Sequence, residues 1–111
     1  MTHIKALIHR LRHYQEQAAK VMAPPQRADL LRKRLRAAEL LQATLSLLSH
    51  MVSEEYAYTR IVDNVSCLIE AIRSGESKCA RVYLAHIESD VPDLEDCLPK
   101  SVGHATEMGD G

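Results

Sequence analysis

The chain contains no Trp and no Phe, and four Tyr are its only aromatic residues. A base-stacking platform needs several aromatic faces in series, and this sequence is poorly supplied with them. Glycine and proline number four each in 111 residues, which excludes collagenous and low-complexity chains. The cysteines are Cys67, Cys79 and Cys97. An odd number does not close a disulfide framework, so reduced thiols and a cytoplasmic location are expected. The leftover thiol keeps an intermolecular bridge open. The longest stretch without Asp, Glu, Lys or Arg runs from Leu40 to Ser53, and Gln42, Ser46, Ser49 and His50 interrupt it. A bilayer span needs about 20 mostly apolar residues, so no membrane-crossing segment is expected.

Catalytic patterns are missing as well. There is no Gly-rich phosphate loop, no GxSxG and no spaced carboxylate pair. Cys79 and His86 share a helical face, but two turns separate them by about 10 Å along the axis, too far for a nucleophile–base pair. His9 and His13 lie one turn apart, yet a structural zinc needs four ligands and no second pair is evident. The expectation is a protein that is not an enzyme and that takes neither cofactor nor metal.

What the sequence does have is helical periodicity and polarised charge. Ile4, Leu7, Ile8, Leu11, Ala18, Val21 and Met22 recur at three-four spacing, which predicts a helix from about His3 to Met22, ended by Pro24 and Pro25. The helix is basic and amphipathic, and core packing accounts for its apolar face better than a membrane surface does. A second helix begins near Gln26. Tyr58, Ile61, Val62, Val65, Leu68, Ile69 and Ile72 define a third, closed by Gly75. Ser49–Ser53 is the expected break between the second and third. Cys67, beside Leu68 and Ile69, reads as a small core residue. A fourth helix is expected over about Glu76 to Glu88, then a short fifth capped by Asp90 and ended by Pro99. No segment alternates with period two. The fold expected is all-α: a hairpin or bundle of three principal helices with one or two short C-terminal ones, as a dimer. Residues 1–99 form the single domain of this reading, and 100–111 a mobile polar tail.

The second helix holds eight leucines between positions 30 and 48. At about 100° per residue, they cover some 240° of its circumference, more than one neighbour can bury. This predicts either the centre of a bundle or an interface with another chain. Leu30, Leu31, Leu35, Leu40, Leu41, Leu45, Leu47, Leu48 and Met51 are the candidate partner-binding or dimer residues.

Net charge is −1 over the whole chain, but residues 1–36 carry nine Lys/Arg against two acids, and residues 75–111 three against eight. The sharpest run is Arg32, Lys33, Arg34 and Arg36, with Arg27 one turn earlier. As an electrostatic patch it suits phosphates or an acidic protein surface. The C-terminal acids Glu88, Asp90, Asp93, Glu95 and Asp96 are the expected counter-charges within the chain. Without interleaved aromatics, a protein partner is the preferred reading, and a nucleic-acid accessory role for the patch at 27–36 is the alternative.

Size, helical plan, arginine in excess of lysine, the amphipathic start Met1–Met22 and the Leu-rich Ala28–Val52 stretch resemble the QslA-type quorum-sensing anti-activators. That resemblance implies a protein that binds a LuxR-type transcription activator and blocks its dimerisation. The reading from sequence is a small non-catalytic regulatory binding protein whose partner is a protein such as a transcription regulator.

Overall fold

The computed structural model describes residues 2–20 and 22–98. Helix α1 spans Thr2–Ala18, α2 Pro24–Leu47, α3 Ser49–Val52, α4 Tyr56–Arg73 and α5 Ser77–Cys97. The fold is all-α, as the periodicity predicts, and no strand occurs among the described residues. The helix lengths differ from expectation: among the described residues, four long helices and one short one stand where three long helices and one or two short C-terminal ones were expected. The expected tail at 100–111 lies outside the described residues.

Local chemistry explains the boundaries. Pro24 and Pro25 occupy the first two positions of α2, where a missing N–H costs no helical hydrogen bond. The Ala23 N–H at the cap donates instead to Oε1 of Gln26, at 3.2 Å. The α4 helix ends in a Schellman turn. Gly75 takes φ +76°, the Glu76 N–H donates to the Ala71 carbonyl at 2.9 Å, and the Gly75 N–H donates to that of Ile72 at 3.2 Å. The break expected at Ser49–Ser53 is displaced: Ser49–Val52 are helical, and the chain is interrupted at Leu48 and again at 53–55. The Leu48 N–H donates to the Leu45 carbonyl, three residues back, and the chain restarts as α3. The Tyr58 hydroxyl reaches the same Leu45 carbonyl at 2.9 Å and ties α4 to this break.

The C-terminal region corrects the expectation. Residues 77–97 form one helix that continues through Pro92, with no stop at Glu88 and no cap at Asp90. Proline inside a helix removes one backbone bond. Here Ile87, Asp90, Val91 and Leu94 are all buried on one face, so burial across the proline holds the helix together. Asp90 has an ion pair in place of a capping role, its Oδ2 lying 3.2 Å from Nε of Arg60.

Helices α1 and α4 each pack against both α2 and α5, which closes the four long helices into a bundle. Ion pairs Lys5–Glu95 and Arg12–Glu88 show α1 and α5 antiparallel, since one number rises as the other falls. The core takes Ile4, Leu7 and Leu11 from α1, Leu41 and Leu45 from α2, Ile61, Leu68 and Ile72 from α4, and Leu84, Ile87 and Leu94 from α5. Burying each such side chain contributes about 1.5–3 kcal/mol. Ala37, Ala38 and Ala80 are also buried, and their small volume lets the helices approach closely. Cys67 is exposed, contrary to its expected core position. It lies two residues from the buried Val65, about 200° around the helix, and so points away from the core.

Candidate partner-binding groove

The leucines of α2 and its cap divide between the core and the surface. Leu30, Leu41 and Leu45 are buried inside the chain, and Leu35 and Leu48 are half-buried against the core. These five belong to the monomer's own packing, which answers much of the wide leucine spread. Leu31, Leu40, Leu47 and Met51 are left exposed. They do not form one patch. Leu31 lies about 180° around the helix from Leu40, whereas Leu40, Leu47 and Met51 share one edge.

The basic run also divides. Asp29 Oδ1 and Oδ2 pair with Arg32 at 3.3 Å and Lys33 at 3.0 Å on the exposed surface. These cations hold the Asp29 carboxyl below its ordinary value, with the Lys33 hydrogen bond the largest influence. Arg36 is exposed. Arg34 turns inward and is only 7% exposed. Its Nη2 donates to Oε1 of Gln15 at 2.8 Å, and Gln15 Nε2 donates to the Ser77 carbonyl at 3.1 Å. Burial pulls the Arg34 pKa down, because desolvation disfavours the charged form. A guanidinium nevertheless stays ionised, so a positive charge sits in the bundle beside a neutral acceptor.

The acids of α5 do not neutralise this run. Glu95 pairs with Lys5, Glu88 with Arg12 and Asp90 with Arg60. The C-terminal negative charge is therefore matched to α1 and α4, and α2 keeps much of its positive charge.

Arg34 opens into a groove of about 470 Å³ at the end of the bundle where the α1–α2 and α4–α5 connections meet. Leu31, Met22 and Pro24 supply its apolar surface, with Leu30 and Ile72 buried behind them, and Lys20, Arg27, Arg34 and Arg73 supply its charge. Among the described residues, no Asp or Glu lines it. Arg27 Nη2 is fixed by the Met22 carbonyl at 3.1 Å, and Arg73 pairs with Glu39 at the rim. An apolar floor with cations above it and one buried guanidinium within it suits an amphipathic, acidic segment.

Four of the sequence candidates, Leu30, Leu31, Arg27 and Arg34, meet in this groove. Met22, Ile72, Arg73 and Lys20 were not anticipated there. The proline pair and Gly75 carried the signal, since both mark turns that an antiparallel bundle brings to the same end.

The thiols and imidazoles form no comparable site. Cys79 Sγ donates to Glu76, and His86 Nδ1 lies 3.4 Å from Asn64 Oδ1, so Cys79 and His86 face different partners. Among the described residues, no three His, Cys, Asp or Glu side chains are placed to hold a metal ion, and no helix is long and apolar enough to cross a membrane. Comparison with protein-family models, with curated proteins and with solved structures finds no match.

Proposed function

We propose that this chain is a non-catalytic regulatory binding protein that takes an acidic amphipathic segment of a partner protein into the groove at the turn end of its bundle. One observation carries this reading: among the described residues, Arg34 is buried with a single neutral hydrogen-bond partner and lines a largely apolar groove free of carboxylates. A guanidinium offers five N–H donors, and an incoming carboxylate can use those Gln15 leaves over. Leu31 and Met22 supply apolar contact, and Arg27 and Lys20 speed the encounter. The finer form of the proposal follows the family resemblance: the partner is a LuxR-type transcription activator, and occupying its surface blocks its dimerisation.

Kinetic binding to a purified LuxR-type activator tests both levels. Leu31→Glu should raise the dissociation rate or abolish binding, while Arg27→Ala should mainly slow association and flatten its salt dependence. The alternative, nucleic-acid binding by the cations of residues 27–36, predicts affinity for DNA or RNA that falls steeply with salt. Tight nucleic-acid binding at physiological salt that Leu31→Glu leaves untouched overturns the protein-partner reading.

A further inference from the structure

A different face of α2 carries an exposed apolar line. Leu40, Leu47 and Met51 are 43%, 74% and 39% exposed. With Thr44 they follow the i, i+4, i+7, i+11 spacing of one helical stripe. Leu48 (φ −89°, ψ −6°) and Ser53 (φ −58°, ψ −25°) are both right-handed helical, so α3 resumes the same winding after the turn at Leu48. Continued upstream, the same spacing passes through Arg36 and Lys33; continued downstream, it reaches Glu54. All three are exposed. The stripe is thus basic at one end, apolar in the middle and acidic at the other. Its midpoint is slim: Ala43 is exposed there, and the Thr44 hydroxyl is turned back onto the Leu40 carbonyl at 2.8 Å.

We infer that a second copy of this chain covers the stripe, running antiparallel across a twofold axis at Ala43 and Thr44. That axis sets Leu40 of each copy opposite Leu47 of the other. It brings Lys33 opposite Glu54 of the partner subunit and sets Arg36 within one helical turn of that same carboxylate. A parallel pairing would set basic end against basic end and acidic against acidic. Among the described residues neither Arg36 nor Glu54 has an ion pair within its own chain. The charge pattern is therefore self-complementary in one orientation, as an isologous interface requires. From Lys33 to Leu47 the α2 part of the stripe is about 21 Å long at the helical rise, and α3 extends it beyond the turn at Leu48. The groove beside Arg34 lies on another side of the bundle and stays open in this dimer.

Sedimentation of the full chain at micromolar concentration tests the inference. Wild type should sediment as a dimer. Leu47→Glu should yield a monomer with unchanged helical circular dichroism, because Leu47 is outside the core. Arg36→Glu should weaken the dimer by about tenfold at low salt, and adding Glu54→Arg should restore it by re-forming the pair with reversed sign. Leu31→Glu, in the groove, should leave the dimer intact. A monomeric wild type, or a dimer indifferent to Leu47→Glu, overturns the interface. Failure of Glu54→Arg to rescue Arg36→Glu overturns the antiparallel register.

Discussion

Arg34 Nη2 donates to Oε1 of Gln15 at 2.8 Å, and this bond fastens the basic segment of α2 to α1. Both side chains are buried. The bond places a charged donor against a neutral acceptor, and Gln15 is held in turn by the Ser77 carbonyl on α5. Three helices therefore meet at one side chain, Gln15.

Replacing Gln15 by Leu should leave the Arg34 guanidinium short of an acceptor. A buried charged donor without its partner costs about 1–3 kcal/mol or more. Thermal unfolding should shift down by several degrees. Arg34→Met, which removes the charge and keeps the apolar stem, should cost less than Gln15→Leu. If Arg34→Met is the more damaging of the two, the pair stabilises the bundle in its own right.

Arg60 and Asp90 make the second test. Asp90 is 5% exposed and its Oδ2 lies 3.2 Å from Arg60 Nε without an aligned hydrogen bond. Arg60→Ala should destabilise the chain by about 3 kcal/mol, since it strands a buried carboxylate. Asp90→Leu should be far milder, and the double variant should resemble Asp90→Leu alone. Chemical denaturation of the three variants measures this non-additivity. Equal losses for Arg60→Ala and Asp90→Leu would refute the stranded-charge account.

These two pairs also show what was legible in the sequence. The helical stripe of α4, its end at Gly75 and the two-sided leucine surface of α2 follow from spacing alone. The continuity of α5 does not. Asp90 and Pro92 carry the local signals of a cap and a stop, and tertiary burial of Ile87, Val91 and Leu94 overrides them. Arg34 stands among solvated cations in the sequence, and only the positions of α1 and α5 show that it is inside. For the same reason Glu88 and Glu95 were matched to the wrong helix. Charge balance can be counted in a sequence, but which charges meet depends on which helices become neighbours.

Asp29 supplies a pH-dependent test. Lys33 and Arg32 hold its carboxyl below the ordinary value of 3.8. Because the folded value is the lower one, the contribution is present above the unfolded value and is lost as pH falls through the folded one. Titration of the side-chain carboxyl by NMR should place Asp29 below 3.8, and Lys33→Ala should move it back up further than Arg32→Ala does. Raising the salt should act in the same direction, because the site is exposed to solvent. An unchanged midpoint in Lys33→Ala would show that the ion pair does not persist in solution.

The three thiols should differ in reactivity towards alkylating agents. Cys67 is exposed, whereas Cys79 and Cys97 are half-buried. The Cys79 thiol is pushed up first by its hydrogen bond to Glu76 and then by burial. Cys97 is pushed up by burial first and then by the neighbouring Glu55. The thiolate is the reacting species, so a raised pKa lowers its fraction near neutral pH. Timed iodoacetamide labelling read by mass spectrometry should therefore modify Cys67 first. Glu76→Gln removes the carboxylate beside Cys79 and should speed labelling there without changing Cys97. Glu55→Gln should do the reverse, with the smaller gain, because burial rather than Glu55 is the larger cause at Cys97. Labelling of Cys97 ahead of Cys67 in the folded chain would mean that α5 does not hold its last turn against the bundle.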